Sequence, residues 1–338
     1  MNWPLTPAVA CLRTCVGYAE PVCARCPYPH VPDPAAVVRE ARGKAALIVG
    51  AAAVLAPSGP ERDRLLAAFP VPPGRVHVAP GWIDMDRFAG TGRPDPEARR
   101  AFGFAPEAPV VLYVARIFWM KGLGHLAEAI PGVLDRHPAA RFVFAGPMQE
   151  PEEERVHETV RRAGVDPERL LWTGNLPQDD LARLYRAADV FALPSPEIPL
   201  PTATYGATCA AQALGRPLAC RPRPYFMPRG AGRAGTGDSL VETQGLVLLE
   251  AMATGLSVVA SDLPAIRALI TPEETVLLVP PRDGRTLAAA LNRLLDDAGL
   301  RRRLGAAAPA DVRPRCCRQA LAGRVVALYE GVTAGGGD

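Results

Sequence analysis

From about residue 108 onward the chain repeats one unit: a short run of β-branched and aromatic apolar residues, a turn, then a stretch whose apolar residues recur with helical period. A helix placed between two strands carries the chain back along the sheet and delivers the second strand parallel to the first. The repeat therefore predicts an α/β fold built on a parallel sheet. Val110–Val114 is the first run, and Leu126, Ile130, Val133 and Leu134 follow at i, i+4, i+7 and i+8, with Pro131 predicting a kink or a late start. Arg141–Ala145 is the next run, closed by Gly146-Pro147. Residues 151–164 predict a helix: Pro151 suits its first turn, Glu152, Glu153 and Glu154 its positive end, Arg161 and Arg162 its negative end, and Gly164 its stop. Strands are predicted at 170–173 and 190–193, around a helix with Leu181, Leu184, Tyr185 and Ala188 on one face. A helix over 245–254 stopped by Gly255, strands at 256–260 and 276–279, and a helix facing inward with Leu287, Leu291, Leu294 and Leu295 complete the series.

Two regions depart from this rhythm. Residues 196–240 show no sustained period and predict an irregular insertion, carrying Cys209, Cys220 and five arginines but no lysine. A basic lid is one reading of it, compositional drift the other. In the first hundred residues, 45–56 predicts a buried strand with its flanks, followed by a helix around Leu65 and Leu66 and a strand at 76–79.

Composition narrows the classes further. Hydrophobic residues at 49% and charged residues at 22% exclude wholesale disorder, and Gly 31 with Pro 37, about a fifth of the chain, fall short of a low-complexity composition. Lys+Arg 38 against Asp+Glu 35 gives a formal charge of +3, so no nucleic-acid partner is expected. The apolar run 45–56 is too short for a membrane span, which needs about 20 residues. Met1-Asn2-Trp3-Pro4 opens no basic, then apolar, leader, so a cytoplasmic location is expected. Cys11, Cys15, Cys23 and Cys26, with His30, permit a four-ligand zinc site or stand as buried or free thiols.

Glu242 precedes the helix predicted at 245, and Glu250 falls in its second turn, so the two carboxylates bracket a helix N-terminus. Free amides of Gln244, Gly245 and Leu246 there would favour an anion, a phosphate for example, with sugar hydroxyls on the acids. The plainer alternative is an amphipathic helix with two solvated glutamates. Arg116 and Lys121 follow the carboxyl end of the 110–114 strand, where open parallel sheets bind ligands, and they suit a diphosphate or are simply solvated.

The run Val-Leu-Tyr-Val-Ala115-Arg116-Ile with Lys121-Gly122, Phe-Ala-Gly146-Pro147, Thr173-Gly174, Leu-Tyr-Arg-Ala-Ala-Asp189-Val, Pro194-Ser195, Glu242-x7-Glu250 with Ala-Met-Ala-Thr-Gly255, and Leu-Leu-Val-Pro-Pro281 resembles the retaining nucleotide-sugar glycosyltransferases of family 4. Pro57-Ser58 and Gly81-Trp-Ile-Asp84 with Phe88 resemble the end of that family's acceptor domain and its linker. The resemblance implies a GT-B fold, two Rossmann-like domains facing across a cleft. Residues 1–106 would be an incomplete acceptor-side domain, 107–315 the nucleotide-sugar domain with its insertion, and 316–338 a C-terminal helix and tail. It implies transfer of a sugar from a nucleotide diphosphate sugar to a hydroxyl acceptor with retention, or a nucleotide-binding remnant of such an enzyme. Arg116 and Lys121 would neutralise the diphosphate, Glu242 would contact the donor sugar, Glu250 the ribose, and Gly146 and the amides of Gln244, Gly245 and Leu246 would complete the site. No cofactor or metal is required, since cations and amides can carry the leaving charge. The acceptor would be a sugar, a lipid-linked or a small-molecule hydroxyl, the lipid-linked case bringing peripheral membrane association.

Three positions depart from the family pattern. Ala115 replaces a glycine and threatens to crowd the phosphate, Ala268 stands where an acid is usual, and residues 196–241 separate Ser195 from Glu242. Glu197 keeps the ordinary spacing but lacks a following helix, so Glu242 is preferred. Trp172 is read as a packing residue, and Trp119 as a packing residue or a border of the donor site.

Overall fold

The computed structural model describes residues 46–117, 121–148, 152–196, 198–199, 239–240, 242 and 245–334. In chain order the named elements are β1 (Val54–Ala56), α1 (Gly59–Ala68), β2 (Val76–Val78), α2 (Pro96–Ala101), β3 (Val110–Val114), α3 (Leu123–Leu134), β4 (Arg141–Ala145), α4 (Glu152–Arg162), β5 (Leu170–Gly174), α5 (Gln178–Ala187), β6 (Val190–Leu193), β7 (Ile198–Pro199), β8 (Ser239–Leu240), α6 (Leu246–Thr254), β9 (Ser257–Ser261), α7 (Pro264–Arg267), β10 (Val276–Val279), α8 (Gly284–Asp296), α9 (Ala298–Cys316) and α10 (Arg318–Ala334). Contacts divide the chain into two compact units, one of Leu55–Arg62, Val78–Glu197 and Val241–Asp338, the other of Met1–Val54, Asp63–His77 and Ile198–Leu240.

The first unit is built on a six-stranded sheet in the order β10-β9-β6-β3-β4-β5. Every neighbouring pair in it is parallel. Chain order runs outward from β3 through β4 to β5, then reverses to the other side of β3 through β6, β9 and β10. That reversal between β3 and β6 is a topological switch point, outside whose carboxyl ends a crevice forms because the flanking connections leave in opposite directions.

Both faces of the sheet are covered, which is why its strands read as continuous apolar runs rather than as alternation. Val110, Leu112 and Val114 face a core shared with Leu184 and Tyr185 of α5, Leu248 and Met252 of α6, and Val312 of α9. Val111, Tyr113 and Ala115 face the opposite core, with Leu126 and Ile130 of α3, Val160 of α4 and Leu291 of α8. Trp172 stacks on Phe144 at 4.3 Å, a packing role. Residues before β3 belong to the same unit: the Ile83 amide donates to the Cys316 carbonyl at 3.0 Å, and Phe88 meets Tyr185 edge-on at 5.7 Å.

The expected strands and helices form with their boundaries moved by a residue or two. α3 starts at Leu123, directly after Gly122, so the late start is not taken, and Pro131 is carried inside the helix. Burial of Leu126, Ile130 and Val133 holds it there. The buried strand expected over 45–56 is corrected: residues 46–50 are helical and Leu47 is 75% exposed, leaving only Val54–Ala56 extended. Its alanines and leucine are strong helix formers, and a short apolar run cannot by itself distinguish the two states. In the second unit, the insertion opens and closes as an antiparallel pair, Ile198 opposite Leu240 and Pro199 opposite Ser239.

Candidate active site

The crevice end of β3 is shaped by two glycines that no other residue can replace without strain. Gly146, after β4, has φ +132°, and a Cβ there would lie 1.8 Å from the Ala115 carbonyl oxygen. Its amide donates to the Gly174 carbonyl at 2.8 Å, so the β3, β4 and β5 ends are drawn together. Gly122 takes the left-handed conformation, φ +78°, to turn from Lys121 into α3, and a Cβ there would lie 1.8 Å from the Pro194 carbonyl oxygen. The loop after β3 thus lies against the loop after β6, across the switch point.

Arg116 is exposed at the end of β3 and pairs with no described residue. Ala115, next to it, is buried in the α3–α4–α8 core, so the methyl that replaces the family's glycine is absorbed by packing. The Lys121 backbone is fixed from below: Tyr113, fully buried in β3, donates its hydroxyl to the Lys121 carbonyl at 3.0 Å. Burial, and then the charge of Glu242, push the Tyr113 phenol upward, so it stays a donor at any ordinary pH.

Lys121 Nζ stands 2.7 Å from Glu242 Oε2. Ser195 Oγ donates to the same oxygen at 3.4 Å, and the Gly245 amide reaches Oε1 at 3.4 Å. Burial alone would raise the Glu242 carboxyl; Lys121, the Gly245 amide and Ser195 outweigh it and hold the group below its ordinary value, hence ionised at neutral pH. The insertion therefore returns Glu242 to Ser195, the residue it would follow closely without the intervening chain.

α6 begins at Leu246 with Gly245 as its N-cap, φ +56°. One expectation is corrected here: the Gly245 amide is directed at Glu242 Oε1 and is not free, because the capping glycine brings the preceding carboxylate within reach. The Leu246 amide donates to no described residue, and its side chain is exposed. Gln244, Trp119, the cysteines at 11, 15, 23, 26, 209 and 220, and His30 lie outside the described residues. In the next turn of α6 Glu250 Oε2 lies 3.0 Å from the Tyr185 hydroxyl. Burial pushes the Glu250 carboxyl up to about 7, although the bond from Tyr185 opposes it. At the position of the missing acid Ala268 is exposed, and its neighbour Arg267 makes a two-pronged pair with Asp262, Nη2 to Oδ2 at 2.6 Å.

Sequence reasoning missed Tyr113, Ser195 and Tyr185 as holders of the site. For Tyr113 the signal was a hydroxyl inside an otherwise apolar run, which a burial pattern alone reads as packing.

Sheet order and crevice together define a doubly wound α/β domain in which Lys121, after β3, meets Glu242, before α6, at the switch point. Residues 94–213 and 238–297 match two family models, both described as glycosyl transferases group 1. The chain is 29% identical over 287 residues to a D-inositol 3-phosphate glycosyltransferase of Kribbella flavida, covering 82% of this chain and 55% of that protein. It is also 29% identical over 251 residues to a GDP-mannose-dependent monoacylated alpha-(1-6)-phosphatidylinositol monomannoside mannosyltransferase of Corynebacterium glutamicum, covering 74% and 54%. The chain thus spans about half the length of the curated relatives it matches. Among solved structures, sucrose-phosphate synthase from Thermosynechococcus elongatus superposes with a TM-score of 0.66 at 25% identity, covering 88% of this chain and 62% of that one. Anabaena HepE in complex with UDP and glucose superposes at 0.64 and 18% identity, covering 86% and 67%. The architecture is that of GT-B glycosyltransferases. Among the described residues no helix is long and apolar enough to cross a membrane.

Proposed function

We propose that the chain takes part in transfer of a hexosyl group from a nucleotide diphosphate sugar to a hydroxyl acceptor, with retention of configuration. The observation that carries this reading is the meeting of Lys121 and Glu242, 121 positions apart in sequence, at the start of α6 and at the switch point. In the proposed reaction the bond from the sugar's anomeric carbon to the diphosphate oxygen breaks and a bond to the acceptor oxygen forms on the same face. The acceptor's proton passes to the departing diphosphate.

The costly part of this reaction is charge growing on the leaving group, and preorganised cations and amides lower that cost most where it develops. Arg116 offers a two-pronged guanidinium to the diphosphate and Lys121 a point charge; the Leu246 amide adds a donor at the positive end of α6. Glu242, ionised beside Lys121, faces the donor sugar, and Glu250 takes the ribose hydroxyls. With these groups meeting the diphosphate, transfer does not depend on a metal, and it persists in a chelator. Relatives named for GDP-mannose and for inositol phosphate or phosphatidylinositol mannoside acceptors support a hexose donor and a polyol or lipid-linked acceptor.

The test is a transfer assay with UDP-, GDP- and ADP-hexoses, run with and without chelator against inositol phosphate and lipid-linked acceptors. Turnover that vanishes in Glu242→Gln supports the reading. Tight nucleotide binding without turnover on any pair counts against catalysis.

A further inference from the structure

Tyr185 and Glu250 make a contact between α5 and α6 that the donor-binding scheme above does not use. The Tyr185 ring is fully buried, 5.7 Å from the Phe88 ring and 5.6 Å from that of Phe191, so packing fixes where its hydroxyl stands. That hydroxyl lies 3.1 Å from the Val247 carbonyl and 3.0 Å from Glu250 Oε2. One hydroxyl proton cannot serve two acceptors at once. When Glu250 is ionised, Tyr185 donates to Oε2. When Glu250 is protonated, the carboxyl donates to the Tyr185 oxygen, whose own proton turns to Val247. In both states Oε2 is held, while Oε1 has no hydrogen-bond partner among the described residues. No described Lys, Arg or His pairs with Glu250, so Tyr185 is the one group fixing its orientation there.

We propose that Tyr185 is a positioning residue, which clamps Glu250 Oε2 so that Oε1 is presented to the vicinal hydroxyls of the nucleotide's ribose. The α5–α6 contact then sets how tightly the nucleotide binds. This rests on the reading that Glu250 takes the ribose. Burial, and then Glu250, push the Tyr185 phenol well above its ordinary value, so it remains a hydroxyl throughout the neutral range.

Binding of GDP and UDP, and of their 2′,3′-dideoxy counterparts, is measured on the full chain, its Tyr185→Phe variant and its Glu250→Gln variant. Tyr185→Phe keeps the ring between Phe88 and Phe191 and is expected to weaken the ribonucleotide about 10-fold. It should leave the dideoxynucleotide unchanged, and raise the KM for donor with kcat changed less than about 2-fold. Glu250→Asp, which retains the charge but draws it away from Tyr185, should show the same ribose-selective loss and guards against a folding defect in the first variant. A role confined to packing would weaken both nucleotides alike. If Glu250→Gln loses ribonucleotide affinity while Tyr185→Phe binds like the parent, or loses both nucleotides equally, the positioning role is overturned and the ribose reading stands. If Glu250→Gln binds ribonucleotide as well as the parent does, both are overturned.

Discussion

Lys121 Nζ and Glu242 Oε2 lie 2.7 Å apart, joining the loop that follows β3 to the residue that precedes α6. Neither end of this pair is free to wander. Tyr113 holds the lysine's backbone from inside the sheet, and Ser195 and the Gly245 amide hold the carboxylate. A cation and an anion so fixed at a crevice are arranged before any ligand arrives, which is the condition for stabilising charge without reorganisation.

Lys121→Met keeps the stem and deletes the charge. Glu242 is depressed in the folded protein, so its stabilising contribution is present above the unfolded pKa and is lost as pH falls through the folded one. In the variant burial dominates and the carboxyl rises instead. We expect Lys121→Met to be about 1–3 kcal/mol less stable at pH 7, the gap shrinking below about pH 4, with transfer slowed about 100-fold. Urea unfolding across pH checks this; a gap independent of pH would exclude the ion pair as its cause.

Glu250 predicts the opposite sign. Its carboxyl is pushed up to about 7, above its unfolded value, so the folded state keeps a proton that the unfolded chain releases. Stability tied to this group is full below the unfolded pKa and falls away as pH rises toward the folded one. Glu250→Gln is expected to be more stable than the parent by about 1–3 kcal/mol at pH 8 and nearly equal at pH 4. Melting temperatures at the two pH values decide it, and the same variant is expected to bind nucleotide more weakly.

How much of this was legible in the sequence follows from the range of each interaction. The strands of the sheet were readable because burial on both faces leaves a local mark, the unbroken runs at 110–114 and 190–193. The start of α6 was readable from Gly245 and Gly255, whose backbone freedom marks a helix's ends. The run at 45–56 was misread because an apolar stretch of that length carries no period, and the exposed Leu47 contradicts it. Lys121, Glu242 and Glu250 were singled out through motif order and the helix start at 245, whereas the hydroxyls that contact them were not. Whether Ser195 meets Glu242 or Tyr185 meets Glu250 depends on where a distant segment returns, and no local pattern encodes that.

Gly146 and Gly124 separate two kinds of glycine. A methyl at Gly146 meets the Ala115 carbonyl in a positive-φ conformation, so Gly146→Ala is expected to cost at least about 2 kcal/mol and to weaken nucleotide binding by shifting Arg116. Gly124 lies inside α3 with nothing within 4 Å of an added Cβ, so Gly124→Ala is expected to stabilise by about 0.5–1 kcal/mol. Thermal melts with nucleotide titration test both, and a neutral Gly146→Ala would mean that the β3 and β4 ends can part without loss.

At the opposite end of the sheet a second ion pair should matter for stability alone. Arg99 Nη2 donates to Asp189 Oδ2, which also accepts the Val110 amide at 2.8 Å. Arg99 Nη1 stands 3.1, 2.7 and 3.1 Å from the carbonyl oxygens of Ala105, Pro106 and Ala108, which share its two N–H groups. The pair ties α2 and its following loop to the first residue of β3 and to the residue before β6; the Arg99 side chain is buried and that of Asp189 nearly so. Removing one partner strands the other: Asp189→Ala leaves a buried guanidinium without its counter-charge and the Val110 amide without an acceptor, for an expected loss of about 3–5 kcal/mol. Replacing both, as Arg99→Met with Asp189→Leu, removes the stranded charge and should recover part of that loss. Nucleotide affinity, measured where each variant remains folded, should change by less than about 2-fold, because the crevice lies at the carboxyl ends of these strands. Urea unfolding and nucleotide titration of the single and double variants check both halves, and a double variant no more stable than Asp189→Ala would show that the pair's geometry, rather than the stranded charge, sets the cost.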